Sequence, residues 1–268
     1  MAYKIYLLDN LSPIEWSQAV WRLEGAVPTS EDCDRELIHD VMLRHLPQDG
    51  LIADAGCGAG RWPIHLRRLG YRVVGIDISP EAGRAARAED PGLPITVGDV
   101  RRVPLRDASV DAVLSLGVVE HDERGPDEAL REARRILKPG GLLILSVPFN
   151  NLFRRVLVNR LQSWVTWRRR RALMRLGFVE YRFTRREVRD FLQRTGFRVL
   201  AAHPNDYLPP KNVGVWVDYQ NLFFNPFQRR AREELFVLPG MKGKIAAGVT
   251  RWVPWLLCGE VTFVARAG

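Results

Sequence analysis

Apolar residues in the first half of the chain are grouped into short runs, and several of these runs end in an acidic residue or a glycine. The first run, 51–53, leads into Asp54, and later runs cover 71–77, 95–99 and 111–117. Consecutive apolar positions over this length are typical of strands that are buried on both faces of a sheet. We therefore expect a mainly parallel sheet whose strands end in polar residues.

Helical patterns lie between these runs. Ser79 provides a capping hydroxyl and Pro80 follows at the first helical position, which is a typical helix start. Strands that alternate with helices predict an α/β fold, a Rossmann-like doubly wound sheet of about seven strands. The other helices are predicted at 31–46, after Pro126 and after Thr184, and the remaining strands at 142–147, 197–200 and 260–265.

A glycine-rich turn follows the first strand. Gly56, Gly58 and Gly60 are spaced two residues apart, directly before a predicted helix. Glycine permits backbone angles that side chains forbid, and it lets a ligand lie against the N–H groups of the turn. Asp77 ends the second strand, at the spacing where nucleotide-binding folds place a carboxylate on ribose hydroxyls. The glycine spacing differs from the Gly-x-Gly-x-x-Gly pattern of dinucleotide-binding dehydrogenases.

Five short motifs lie in order along this stretch, at residues 54–60, 75–79, 98–100, 118–121 and 137–141. With these motifs, residues 51–148 resemble the class I S-adenosylmethionine-dependent methyltransferases, and among them the quinone-biosynthesis and small-molecule methyltransferases. The resemblance implies that S-adenosylmethionine is the cofactor. It also implies that the last strand is antiparallel and is inserted between the fifth and the sixth.

The resemblance assigns roles to individual residues. The carboxylate of Asp54 would lie near the methionine amino end of the cofactor, and that of Asp77 would accept hydrogen bonds from the ribose. Asp99 and the backbone of Val100 would contact the adenine. The full set of implied cofactor-binding residues is Asp54, Gly56, Cys57, Gly58, Gly60, Asp77, Ile78, Asp99, Val100 and Leu116.

His121 is the candidate catalytic residue, because it follows the fourth strand in Val-Val-Glu-His. An imidazole has a pKa near neutrality and can act as a general base toward a hydroxyl acceptor. The alternative is that His121 hydrogen-bonds locally and orders its loop. The sequence leaves both roles open.

We interpret residues 1–268 as a single methyltransferase domain with additions. An N-terminal arm and helix occupy 1–48 and the cofactor-binding core occupies 49–148. A basic amphipathic insertion covers 149–183, and an insertion rich in aromatic residues covers 204–257. The arm is either a lid over the cofactor or a segment packed on the domain.

Composition limits the remaining possibilities. Three cysteines without paired spacing suggest a reducing compartment and indicate neither a disulfide framework nor a zinc site, so no metal is expected. The N-terminal segment does not resemble a signal peptide, and no run is long and apolar enough to span a bilayer. We therefore expect a cytoplasmic protein, with peripheral membrane contact as an option. The oligomeric state stays open.

The net charge of +9 requires a further explanation, and arginines are concentrated in the insertion at 149–183. Its aromatic and aliphatic residues recur at helical spacing among these arginines. Such a helix lies on an anionic membrane surface, holds nucleic-acid phosphates, or packs on its own domain with a solvated basic face.

The favoured function is methyl transfer to a small-molecule or lipid-like acceptor, at oxygen or carbon. The first alternative is an RNA methyltransferase that uses the basic insertion. It is less favoured, because residues 115–118, after the fourth strand, read Ser-Leu-Gly-Val and lack the Asn/Asp-Pro-Pro-aromatic turn of adenine-N6 enzymes. The second alternative is a scaffold protein that binds the cofactor without catalysis.

Overall fold

The computed structural model describes residues 2–8, 30–171, 176–207 and 240–268. Its strands are β1 (Tyr3–Leu8), β2 (Leu51–Ala55), β3 (Arg72–Asp77), β4 (Ile95–Val97), β5 (Val110–Leu116), β6 (Leu137–Pro148), β7 (Leu176–Arg182), β8 (Phe197–Asn205) and β9 (Glu260–Ala267). Seven of them form the central sheet, in the order β4-β3-β2-β5-β6-β9-β8.

The direction of the strands confirms the expected fold class. The neighbouring pairs from β4 to β6 are all parallel, whereas β9 runs antiparallel to both β6 and β8. Because β9 is reversed, its first residue, Glu260, pairs with Pro148 at the end of β6. The carboxyl ends of the parallel strands and the start of β9 therefore meet at one edge, where ligands of such folds bind.

The described helices are α1 (Leu37–His45), α2 (Arg61–Arg68), α3 (Pro80–Glu89), α4 (Asp127–Ile136), α5 (Asn159–Arg171), α6 (Arg185–Arg194), α7 (Gly240–Trp252) and α8 (Pro254–Leu257). The helices predicted after Ser79 and after Thr184 both begin with a capping residue. The Ser79 hydroxyl accepts a hydrogen bond from the backbone N–H of Ala82, and Thr184 and Glu187 form a reciprocal capping box.

The continuous helix predicted over 31–46 is wrong. A 3₁₀ segment, Ser30–Arg35, is followed by Glu36 in an extended conformation, with φ −85° and ψ 140°, and only then by α1. The carboxylate of Glu36 is largely buried and forms an ion pair with Arg61 at the start of α2. This contact holds the chain at the break, and the apolar periodicity does not reveal it.

Hydrophobic layers cover both faces of the central sheet. Alternate residues of a strand point to opposite faces. Ile52, Leu114 and Ile144 pack in one cluster with helix α1, whereas Val113 and Leu145 pack in a second cluster with helices α4 and α6. The two layers fix the sheet, and with it the edge at which the strands end.

A small second sheet was not predicted from the sequence. β1 and β7 pair antiparallel, from Tyr3 opposite Arg182 to Leu8 opposite Leu176. The start of the N-terminal arm is thus paired with the basic insertion, and residues 9–29 lie outside the described part of the chain. Most of the aromatic insertion, 208–239, also lies outside it. The described helices include none that is both long enough and apolar enough to cross a bilayer.

Candidate cofactor and methyl-transfer site

The glycine turn closes β2 against its neighbour β3. The backbone N–H groups of Gly56 and Cys57 both donate to the carbonyl of Ile76, at 2.7 and 3.0 Å. Gly56, Gly58 and Gly60 have φ values of 90°, 55° and 78°. These angles lie in the left-handed region, which glycine adopts without the steric cost of a side chain.

At position 56 there is also no room for a side chain. A Cβ atom at this position would lie 2.4 Å from Cγ2 of Val118, in the segment that follows β5. The turn and the end of β5 therefore approach each other more closely than any other residue would allow. This approach places the side chain of Val118 directly against the turn.

The carboxylate of Asp77, the last residue of β3, accepts hydrogen bonds from the turn. One carboxylate oxygen accepts a hydrogen bond from the backbone N–H of Gly58, at 2.8 Å. The other oxygen accepts one from the backbone N–H of Ser79, at 2.9 Å. Burial raises the pKa of Asp77. The two backbone hydrogen bonds act in the opposite direction, but the pKa stays above its usual value. Each oxygen retains a second lone pair, so the carboxylate can still accept from ligand hydroxyls.

Asp54 is the most deeply buried acid of the turn. Its side chain is 1% exposed, and its Oδ1 has no hydrogen-bond partner within the described ranges. Burial, followed by the nearby charge of Asp77, raises its pKa to about 7, while Arg61 acts in the opposite direction. A cationic group beside Oδ1 would stabilise the ionised carboxylate and so counteract both of these effects on the pKa. The primary amine of S-adenosylmethionine provides such a group.

Asp99 follows β4 and is paired with an arginine two residues further along the chain. Its carboxylate faces Arg101, whose Nε lies 2.9 and 3.1 Å from the two oxygens, and this hydrogen bonding lowers the pKa of Asp99. Val100 is half-buried beside it. Asp99 therefore stands at the correct edge of the sheet, but contact with an adenine would require it to share or release Arg101.

Three other candidates line the same edge. Cys57 is buried, and burial raises the pKa of its thiol well above the usual value, so it serves as an apolar packing group. A Cβ at Gly75 would meet its sulfur at 2.8 Å. Ile78 and Leu116 are half-buried directly after β3 and at the end of β5.

His121 lies in the 3₁₀ segment Val119–His121. Its Nδ1 is 2.7 Å from the carbonyl oxygen of Val179 in β7. A carbonyl can only accept, so Nδ1 carries the proton and Nε2 is the basic nitrogen of the neutral ring. The contact connects the loop to β7 and selects this tautomer of the ring.

Sequence reasoning missed three polar residues outside the glycine turn, of which Arg154 and Glu120 are buried and Glu260 is half-buried. Arg154, which the helical pattern placed on the basic surface, is 3% exposed and donates to the carbonyls of Phe149 and Gly259, at 2.6 and 2.8 Å. Glu120 is equally buried, and burial raises its pKa well above the usual value. Its place before His121 was the only sequence signal. Glu260 accepts a hydrogen bond from Ser146 at 2.7 Å.

Comparison with known proteins identifies the domain type. Residues 53–145 match the model of a family described as "Methyltransferase domain". A malonyl-[acyl-carrier protein] O-methyltransferase of Yersinia pestis is 36% identical over 127 residues, covering 47% of each chain. A ubiquinone biosynthesis O-methyltransferase of Cereibacter sphaeroides is 40% identical over 106 residues, covering 38% of this chain and 42% of the relative.

Residues 53–145 form a methyltransferase domain, and the fold is that of class I S-adenosylmethionine-dependent methyltransferases. A SAM-dependent methyltransferase structure from Methanosarcina mazei matches the methyltransferase fold over 85% of this chain and 96% of its own, with a TM-score of 0.57 and 19% identity. This similarity shows the fold alone. The matched stretches span less than half the length of the two curated relatives.

S-adenosylmethionine is the cofactor of this methyltransferase domain, and the residues present fit it. The orphaned oxygen of Asp54 suits its amine, and the remaining lone pairs of Asp77 suit its ribose hydroxyls. Gly56, Gly58 and Gly60 carry no side chains, so the ligand can contact the main chain of the turn directly.

Proposed function

We propose that the protein transfers a methyl group from S-adenosylmethionine to a small-molecule or lipid-like acceptor, at oxygen or carbon. The observation that carries the proposal is the unpartnered, buried Oδ1 of Asp54 beside the glycine turn. A buried carboxylate without a partner destabilises a protein unless a ligand completes it. A ligand that carries both an amine and a ribose matches Asp54 and Asp77 together.

Cofactor binding depends mainly on backbone and carboxylate groups. Gly56, Gly58 and Gly60 let the ligand approach the turn, and Asp77 accepts the ribose hydroxyls while it holds Gly58. Asp99 and Val100 contact the adenine after Arg101 yields one of its hydrogen bonds. Ile78 and Leu116 supply apolar contacts.

The bound cofactor supplies a methyl group that its positively charged sulfur has already activated. The protein therefore has to align the acceptor with that methyl group, exclude water and, for a hydroxyl acceptor, remove a proton. His121 takes the proton at Nε2, because Nδ1 is held by the carbonyl of Val179. The resulting imidazolium is stabilised by the same carbonyl.

Two observations support the acceptor class. Both relatives described above are named as O-methyltransferases, and one acts in ubiquinone biosynthesis. The segments that follow β6 and precede β9 begin at the reacting edge, where Phe149 and Trp255 pack edge to face at 5.8 Å. This aromatic pair offers an apolar wall to an acceptor.

The test is calorimetric titration of the protein with S-adenosylmethionine, and separately with NAD, followed by an acceptor screen that begins with quinone-like and lipid-linked compounds. We expect binding of S-adenosylmethionine alone. Asp77→Ala should weaken it by roughly 10- to 100-fold, and Asp77→Asn by less, since one oxygen remains. Unchanged affinity in both variants would reject the site.

Turnover separates catalysis from a scaffold role. His121→Ala should retain cofactor binding and lose roughly 100-fold or more in turnover if it is the base. Full activity of this variant would assign His121 to loop structure. Cofactor binding without methylation of any acceptor would favour the scaffold alternative.

A further inference from the structure

Helix α5 and the turn before it present large apolar side chains to solvent. Leu157, Leu161 and Trp164 follow one another at intervals of four and three residues, which places them on one helix face. Leu157 is 55% exposed, and Trp164 and Trp167 are each 51% exposed. On a soluble domain, such a stripe marks a contact surface.

The same face of α5 is cationic. Arg168 and Arg171 are exposed, with their guanidinium carbons 5.1 Å from the ring centre of Trp164 and 4.5 Å from that of Trp167. Neither arginine has a carboxylate partner among the described residues, and no acidic residue occurs between Phe149 and Val179. The positive charge is therefore uncompensated along the helix.

Helix α7 carries a second exposed stripe. Met241, Ile245, Val249 and Trp252 recur at intervals of four, four and three residues, and all are exposed. Trp252 has 90% of its surface exposed. This stripe is apolar, so its partner must bury hydrocarbon as well as neutralise charge.

Both helices are attached to the reacting edge of the sheet. The amide of Asn151, just before the turn into α5, donates to the carbonyl of Cys258, just after α8, at 3.0 Å. Phe149 donates its N–H to the carbonyl of Gly259 at 2.9 Å. The two stripes therefore extend from segments that are joined at the edge where β6 ends and β9 begins.

The geometry points to peripheral docking of this protein on an anionic lipid bilayer, through the basic aromatic face of α5 and the apolar face of α7. Tryptophan rings settle at the level of lipid headgroups, and arginine stems extend along apolar surface while the guanidinium reaches phosphate. RNA would use the arginines but leaves the α7 stripe unexplained. This docking goes beyond the proposed methyl transfer and does not depend on it.

Vesicle co-sedimentation of the full chain tests the docking. The probes are vesicles of phosphatidylcholine alone and of phosphatidylcholine with 30% phosphatidylglycerol, at low and at physiological salt. We expect binding to the anionic vesicles, weakened by salt. Arg168→Glu with Arg171→Glu, and separately Trp164→Ser with Trp167→Ser, should each reduce the partition coefficient at least about tenfold.

The matched control is Arg198→Glu with Arg266→Glu. These two exposed arginines face each other on β8 and β9, at the opposite end of the sheet. The control should bind vesicles as the unaltered protein does. Circular dichroism and titration with S-adenosylmethionine show whether each variant is folded, and they report on the cofactor site independently of the lipid result.

Three outcomes would overturn the docking. The first is no binding to anionic vesicles at either salt concentration, and the second is an equal loss in the control pair. The third is binding to a mixed-sequence RNA that Arg168→Glu with Arg171→Glu abolishes while vesicles remain unbound, which would assign the surface to nucleic acid. Loss of lipid binding only in the two α5 variants supports the proposal.

Discussion

The glycine turn and helix α5 both lie at the reacting edge of the sheet, but they are built in opposite ways. The turn region buries its acids, with Asp54 1% exposed, and backbone hydrogen bonds from Gly56 and Cys57 to Ile76 join the turn to β3. Helix α5 exposes tryptophan and arginine, and the sheet beside it joins Tyr3–Leu8 to Leu176–Arg182. The cofactor side thus depends on local backbone geometry, whereas the acceptor side depends on surface composition and long-range pairing.

The largest effect should come from the charge buried on the cofactor side. Because the folded pKa of Asp54, about 7, lies above that of an unfolded Asp, its contribution to stability is present below about pH 4 and is lost as pH rises toward 7. The loss is roughly 4 kcal/mol. In Asp54→Asn this loss should disappear, as urea unfolding of the cofactor-free protein across pH would show. A parallel pH profile in both proteins would contradict the account.

The second prediction distinguishes the cost of a left-handed backbone from the cost of a steric clash between the turn and Val118. Gly56→Ala places a Cβ against Val118, whereas Gly70→Ala, which also has φ 90°, meets nothing within 4 Å. Gly70→Ala should lower the free energy of unfolding by about 1 kcal/mol, because of its left-handed backbone alone. Gly56→Ala should lower it by about 3 kcal/mol and should also abolish cofactor binding. Unfolding and titration measure both. Equal losses of stability in the two variants would show that the turn moves away from Val118 without a measurable energetic penalty.

A change on the acceptor side should leave the cofactor site intact. Ile5 is 1% exposed in β1, outside the central sheet, so Ile5→Ala should lower stability by about 2 kcal/mol. Affinity for S-adenosylmethionine should change less than about twofold, while turnover falls, because β7 holds His121. A large loss of cofactor affinity would show that the two regions are coupled.

The smallest expected effect concerns Asp99. Arg101→Ala releases its carboxylate, so cofactor affinity should rise by about two- to threefold, equivalent to roughly 0.5 kcal/mol. Arg102→Ala is the neighbouring control. A fall in affinity only in Arg101→Ala would mean that Arg101 itself contacts the ligand.

The sequence predicts the cofactor side well because its signals are local. The strand runs, the caps at Ser79 and Thr184 and the glycine turn each lie within a few consecutive residues, and the structure has them where the patterns place them. The motif also brought Asp54 and Asp77 to one edge, since parallel strands end together. Their roles toward the cofactor stay predictions.

The acceptor side was less predictable because its determinants are distant in the chain. Pairing of β1 with β7 leaves no local signal. On the cofactor side, the break at Glu36 was missed for the same reason, because it depends on Arg61 in another helix. Arg154 resembled its surface neighbours in sequence, but the carbonyls of Phe149 and Gly259 hold it inside. Periodicity cannot distinguish such an arginine from a solvated one.

The reversed strand β9 also has a consequence for how the chain folds. Among the described strands, β8 pairs in the central sheet with β9 alone, so residues 197–205 join this sheet when residues 260–267 are available. During synthesis, the strands from β2 to β6 can assemble first, and β8 docks later. Because such non-local pairing is slow, we expect β8 and β9 to be the last strands of the central sheet to become protected from hydrogen exchange during refolding.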